Sequence, residues 1–421
     1  PSTLVDQEGT EEELERSHSL TSRLNYQFTG ATSMGFEGTF SVRRDESDGR
    51  SLERWYEDGA SSSPDSINAR ALNENADDET VDGRLSFEHV FVEDEHALEA
   101  DVRYDRDFET EDNRYLNFRT ADRSGDPWRA ENDLVNEDEQ DGSVEVDYTR
   151  PLGLIDLETG YKGTLRRLDS DQTFDGDRTD FTFDEWIHAG YAIASDDWGD
   201  FGVEAGLRAE TVTTTFDVTG DDEVNSSYVS LYPSAFVTYE PNERRQVRLS
   251  YSKRVQRPRL WDLNPIEDNE NPTFRERGNP GLDPEYAHSV ALTMTQRWNV
   301  GSITLTPYVR HTVNQIEDVE FQETIDGQTV TVRQARNFAS STSYGTEFVG
   351  TLSWADRMEG TLSSNLYRSV TDGSNLGTDL SNDALTVSGR ANLRGTVREG
   401  LELELSQFYR PAMDVPGGRI S

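Results

Sequence analysis

Along much of this chain apolar and polar residues alternate one by one. In Tyr286–Trp298, the positions Tyr286, His288, Val290, Leu292, Met294, Gln296 and Trp298 share one parity. Ala287, Ser289, Ala291, Thr293, Thr295 and Arg297 take the other. Successive side chains of a strand point to opposite faces, so this segment predicts a strand of about thirteen residues. One face is apolar and bulky, the other small and polar. Strands of soluble sheets run to about five or six residues. The pattern recurs in Val203, Ala205, Leu207 and Ala209 against Glu204, Arg208 and Glu210, and in Leu401, Leu403 and Leu405 against Glu402, Glu404 and Ser406. It recurs again over 229–239 and 385–397. Helical three-four spacing is nowhere sustained.

The links between these segments alternate too. Short ones fall near 29–33, 93–96, 151–154, 195–200, 240–243, 299–302, 355–359 and 398–400. Longer ones, rich in Asp, Asn, Gly and Ser, fall near 47–82, 107–142, 169–179, 217–227, 257–285, 316–329 and 371–384. Every second link therefore lies on the same side, which predicts an up-and-down meander of about sixteen antiparallel strands. That is too many for one soluble sandwich, and closing the sheet removes its exposed edges. The polar faces carry Arg, Glu, Asp and Asn, which cannot fill a dry core. They suit a water-filled or plugged lumen, with the apolar face toward lipid. The expected fold is all-β: an antiparallel up-and-down transmembrane β-barrel. Trp198, Tyr239, Trp298 and Trp354 each lie within a residue or two of a short link, where a membrane interface selects amphipathic aromatics. The plainer reading is that Trp and Tyr often end strands anyway.

Composition changes the picture in two ways. The 421 residues are only 33% hydrophobic and carry a net charge of -42, a balance that elsewhere signals disorder. Aromatics at 10% and the period-two order argue for a folded chain instead. Lys162 and Lys253 are the only lysines among 40 Lys and Arg. An acid-rich, lysine-poor chain looks like a protein from a halophile, where molar salt shortens the Debye length to about 3 Å, and salt-dependent folding is expected. The sign of the charge disfavours nucleic acid as a partner. Cysteine is absent, so disulfides and thiolate metal sites are excluded. No run of eighteen apolar residues could form a membrane-spanning helix. The sequence opens at Pro1 without an initiator Met or signal peptide, and an export signal is expected to have been removed.

One stretch is more specific. Residues 250–292 read SYSKRVQRPRLWDLNPIEDNENPTFRERGNPGLDPEYAHSVAL. Ser252, Arg257, Pro258, Leu263, Asn264, Pro265, Gly278, Asn279, Pro280, Leu282, Pro284 and Glu285 match a pattern common in TonB-dependent outer-membrane receptors. Tyr344, Gly345 and Glu347 match that family's Tyr-Gly-x-Glu, and Tyr409-Arg410-Pro411 with Pro416-Gly417-Gly418-Arg419 resembles its "outer membrane protein β-barrel" variant. Asp283 stands where the family often has Lys, in keeping with the acidity of the chain. The resemblance spans most of 17–421. It implies a barrel of twenty-two strands around an N-terminal plug, taking up a scarce ligand at the expense of energy from TonB. No plug or TonB box is recognisable here, and the sequence stops at Ser421 before the aromatic-ended closing strand. The expected organisation is a connecting segment over 1–16 and an incomplete barrel over 17–421. Expected partners are outer-membrane lipid, the TonB complex through the plug region, and a small-molecule, glycan or peptide ligand.

Read physically, Asn279, Pro280, Pro284 and Glu285 form a stiff loop end that sets where the next strand starts, in preference to a ligand contact. Arg248, Arg254, Arg257, Arg275 and Arg277 could line an anionic site, against the plainer reading of charge balance with Glu267, Asp268 and Glu270. The acidic run 169–177 has Phe174 where a calcium loop needs Gly, and with 217–225 reads as solvated loop. The six histidines are scattered singly, and no hydrolase, nucleotide-binding or zinc motif occurs, so no catalytic, cofactor or metal residues are expected. A passive porin, a barrel hydrolase with a Ser–His pair across strands, and an adhesion barrel remain the alternatives.

Overall fold

The computed structural model describes residues 4–56, 63–93, 95–220, 224–267, 274–325, 328–354, 357–376, 380–398, 400–411, 413–415 and 418–420. The first strands are β1 (Leu4–Thr29), β2 (Thr32–Tyr56), β3 (Ser66–Val92), β4 (His96–Phe118), β5 (Arg129–Leu152) and β6 (Ile155–Phe174). Next come β7 (Asp177–Trp198), β8 (Phe201–Val218), β9 (Val224–Asn242), β10 (Arg245–Gln256), the helical turn α1 (Leu260–Leu263) and the short β11 (Phe274–Glu276). The last are β12 (Glu285–Trp298), β13 (Gly301–Ile325), β14 (Gln328–Trp354), β15 (Met358–Asp372), β16 (Asn382–Arg398) and β17 (Leu401–Tyr409). These seventeen strands belong to one sheet, and a small hairpin, Met413–Val415 with Gly418–Ile420, stands apart from it. Sixteen of the seventeen are long meander strands; β11 alone pairs in parallel, with β14.

The chain divides into two compact units. One comprises 1–147, 161–189 and 211–228; the other comprises 148–160, 190–210 and 229–421. In the first, the register places Leu24, Phe36, Leu85 and Val102 side by side on β1–β4, all exposed. In the second, Val247, Met294, Leu305 and Phe348 form a matching row on β10, β12, β13 and β14. Each row lies on a face of apolar residues that begins at the tight links. On β1 this face runs from Leu20 to Phe28, about 26 Å along the strand at a rise of ~3.3 Å per residue. Among the described residues, exposed large apolar side chains outnumber buried ones. That is the reverse of a water-soluble sheet.

All eight short links fall where the alternation predicts them. The long links differ from expectation. Residues 47–56 and 66–82 are paired strand, as are most of 107–142, and the acidic run 169–177 is a hairpin that turns at Asp175–Gly176, both with positive φ (49° and 95°). Two residues in the left-handed region are the signature of a tight hairpin turn. These stretches lack apolar alternation because cross-strand polar pairs hold them: Arg44 with Asp77, Arg43 with Asp78, Ser47 with Glu11. For the same reason β1 begins at Leu4 and takes in most of 1–16, read from sequence as a connecting segment.

Candidate ligand-binding site

The segment between β10 and β12 folds back on the projecting part of the β13–β14 hairpin. β15 ends at Asp372, so beyond that level β14 would present a bare edge; β11 covers it, pairing Phe274–Glu276 with 331–333. Leu260, Leu263 and Leu282 are buried, as are Val330, Val332, Ala335 and Phe338 of β14. Backbone bonds close the loop on itself: Gly278 N donates to Asn264 O (2.7 Å) and Asn279 N to Asp262 O (2.6 Å). A Cβ at residue 278 would lie 2.3 Å from Asn264 O, so only glycine fits.

The motif residues act here as structural parts. Asn279, Pro280, Gly281 and Leu282 make a β-turn, with Leu282 N donating to Asn279 O (3.2 Å). The Asn279 amide also donates to Ala335 O (3.2 Å). Asn337 bonds both the N–H and the C=O of Asp283, each at 2.9 Å. Pro284 immediately precedes β12, and the Glu285 carboxylate accepts from Ile316 N (3.1 Å). In the second motif, Tyr344 is exposed on the apolar face opposite Val309, and Glu347 is exposed on the polar face opposite Thr306. Gly345 lets the Tyr308 ring lie flat on the strand, where a Cβ would meet it at 2.5 Å.

The candidate arginines separate. Arg257 is bonded to Glu210, which Arg208 also holds at 2.7 Å. Arg277 bridges Glu267 (2.9 Å) and Glu323 (2.8 Å). Arg275 lies in β11, its backbone opposite Val332. Asp268 and Glu270 lie outside the described residues. Arg277 thus meets one of the loop carboxylates named for charge balance, Glu267, whereas Arg257 is balanced by Glu210 of β8 instead. Arg254 is exposed and has no ion pair with the described residues. It stands on the polar face with Arg248, whose guanidinium lies 4.4 Å from the Phe236 ring, and with Arg310 of β13. Arg310 was not apparent from sequence, because only the register sets it in the row Ser252, Ser289, Arg310, Ser343, Ser369. That row offers hydroxyls and one guanidinium without an ion pair among the described residues, the donor set for an oxyanion.

Beside the folded loop is a cleft of about 260 Å³, lined by Trp261, Asp262, Arg277, Asp318, Arg333 and Gln334. Trp261 is exposed, and the Arg259 guanidinium rests 4.0 Å from its ring. Its hydrogen bond to Asp262 holds Arg259 above the ordinary arginine value. Arg333 bonds both Glu276 and Asp318 at 3.1 Å, so the cleft's charges are already paired and its open feature is the indole.

Trp198, Trp298 and Trp354 end their strands, exposed, and Tyr239 is exposed three residues from the end of β9, its ring 4.6 Å from that of Phe201. A single sheet with one apolar and one polar face, joined by alternately tight and projecting links, is the architecture of a membrane-spanning β-barrel. The profile of the outer membrane protein beta-barrel family matches residues 89–421. This chain belongs to that family, whose members reside in the outer membrane. Solved structures with a similar fold include the siderophore receptor PiuA of Acinetobacter baumannii (TM-score 0.56, 10% identity, covering 98% of this chain and 72% of that one). Another is the ferric-catecholate import receptor Fiu of E. coli K12 (0.56, 12%, 97% and 71%). The copper transporter OprC is similar at 0.56 and 12%, covering 92% of this chain and 65% of that one. No curated protein matches the chain in sequence.

Proposed function

We propose that this chain forms much of the wall of an outer-membrane receptor that takes up a scarce anionic ligand, with TonB supplying the energy through a plug region. The observation that carries the ligand's charge is the polar face of β10–β14. In a chain of net charge -42, Arg248, Arg254 and Arg310 stand there without a carboxylate partner among the described residues. Elsewhere arginines such as Arg277 and Arg333 are held by two carboxylates each. An exposed guanidinium among hydroxyls binds carboxylate, catecholate or phosphate oxygens with charge-assisted bonds. The exposed Trp261 beside its cleft offers a flat apolar first contact on the same segment. The named residues bind and guide; none performs covalent chemistry. Likeness in fold to siderophore and copper receptors supports uptake as the task.

The test uses the full-length receptor in a host that lacks its own ferric-chelate receptors, with ferric citrate as the anionic probe. Uptake is expected to require TonB and to fall by about tenfold in Arg254→Gln/Arg310→Gln, the loss of one or two charge-assisted bonds. Uptake that persists without TonB would make the protein a passive channel, and an unchanged rate in the double variant would remove these arginines from the route.

A further inference from the structure

One row short of its last pairing, Val255–Tyr286–Val313, the apolar face of β10, β12 and β13 carries a row of nitrogen bases. Lys253 pairs in register with His288, and His288 with His311, so three basic side chains stand side by side on neighbouring strands. Adjacent strands lie about 4.8 Å apart, which makes the row about 10 Å wide. They share the face of Leu249, Leu292 and Leu305, and Lys253 lies nine residues beyond the tight link that ends at Arg244. At ~3.3 Å per residue and a tilt near 40°, that is roughly 23 Å above the turn, the height of the far edge of a membrane barrel's apolar band.

We infer that this row is a seat for the phosphate headgroup of a membrane lipid. On the same face within this unit, Arg368 of β15 is neutralised within the protein, bonding Asp383 at 2.8 Å. Lys253 has no carboxylate partner among the described residues; its ammonium lies 4.7 Å from the Tyr286 ring. The other lysine, Lys162, is on a polar face and bonded to Glu145 at 3.0 Å. Each histidine engages its Nδ1, His288 with the Tyr251 hydroxyl (3.1 Å) and His311 with that of Thr342 (2.9 Å). Both rings are thereby oriented, and each Nε2 is left without a partner among the described residues. An ammonium and two imidazole edges at the water–lipid boundary suit a phosphate monoester or diester anchored by acyl chains lying on Leu249 and Leu292. The inference rests on the outer-membrane placement and is independent of what the receptor transports.

Native mass spectrometry of the detergent-purified chain, with equimolar phosphatidylglycerol and uncharged diacylglycerol, tests it. The wild type is expected to retain the phosphorylated lipid about tenfold better, and Lys253→Gln/His311→Gln to lose that preference, as befits the loss of one charged partner. Lys253→Arg keeps the charge and is expected to keep the lipid, which separates lost binding from misfolding. Equal retention of both lipids, or preference unchanged in the double variant, overturns the inference. So does displacement of the lipid by an equal concentration of inorganic phosphate, which would mark a site for free anions.

Discussion

Gly345 and Glu317 show two ways in which a single residue is set by its surroundings. At residue 345 any side chain would collide with the Tyr308 ring, whose hydroxyl reaches Asn365 at 3.3 Å, so the motif's glycine makes room for an aromatic that covers bare backbone. Glu317, on the projecting part of β13, is pushed above the usual carboxylate range by burial, with Asp318 and Glu285 adding repulsion against the hydrogen bond from Gln315. A carboxyl that holds its proton more tightly when folded lowers stability as pH rises from the unfolded value, about 4.3, through the folded one. Glu317→Gln is therefore expected to raise the melting temperature by roughly 2–4 °C near pH 7.5 and to leave it unchanged near pH 4, read by heat-modified gel mobility. A stabilisation that grew toward acid would reverse the sign of the argument.

At the scale of elements, the loop between β10 and β12 is fastened to the β13–β14 hairpin by few groups, and Asn337 is the most connected. It accepts from Asp283 N and donates to Asp283 O and Asn314 O, each at 2.9 Å. Asn337→Ala is expected to speed amide exchange across 274–283 by about tenfold while the strands of the sheet stay protected, given ~1–2 kcal/mol for the lost bonds. Exchange confined to its present rate would mean that the buried Leu260, Leu263 and Leu282 suffice. The sequence made strands with an apolar face legible, because burial against lipid imposes period two on Val203–Ala209 or Val290–Met294. It also showed the tight links, where Gly199 at φ 64° and Gly400 at φ 78° are local requirements. The projecting hairpins were read as loops, since Arg43, Asp78, Asn73 and Asp48 pair through charge and amide contacts that leave no periodic trace. The candidate site was half legible for the same reason. Arg254 was one of five candidate arginines in the sequence, but Arg310 gains meaning only from a register twenty or more residues away.

At the scale of the whole molecule, the acidity has a definite place. Carboxylates face each other across strands, Glu12 opposite Asp48 and Glu15 opposite Asp45, an arrangement that salt would relieve. The apolar faces remain nearly free of charge between the tight links and the ion-paired edge. The central claim is that one parity of each strand meets lipid and the other meets water. The chain has no cysteine, so single spin labels can be placed at will. The direct measurement is the accessibility of labels at Val290→Cys, Ala291→Cys, Leu292→Cys and Thr293→Cys in lipid vesicles, to oxygen dissolved in the bilayer and to a water-soluble nickel chelate. The account predicts oxygen dominance at 290 and 292, nickel dominance at 291 and 293, and so a period of two. Nickel dominance at all four positions, or an alternation of opposite phase, would contradict it.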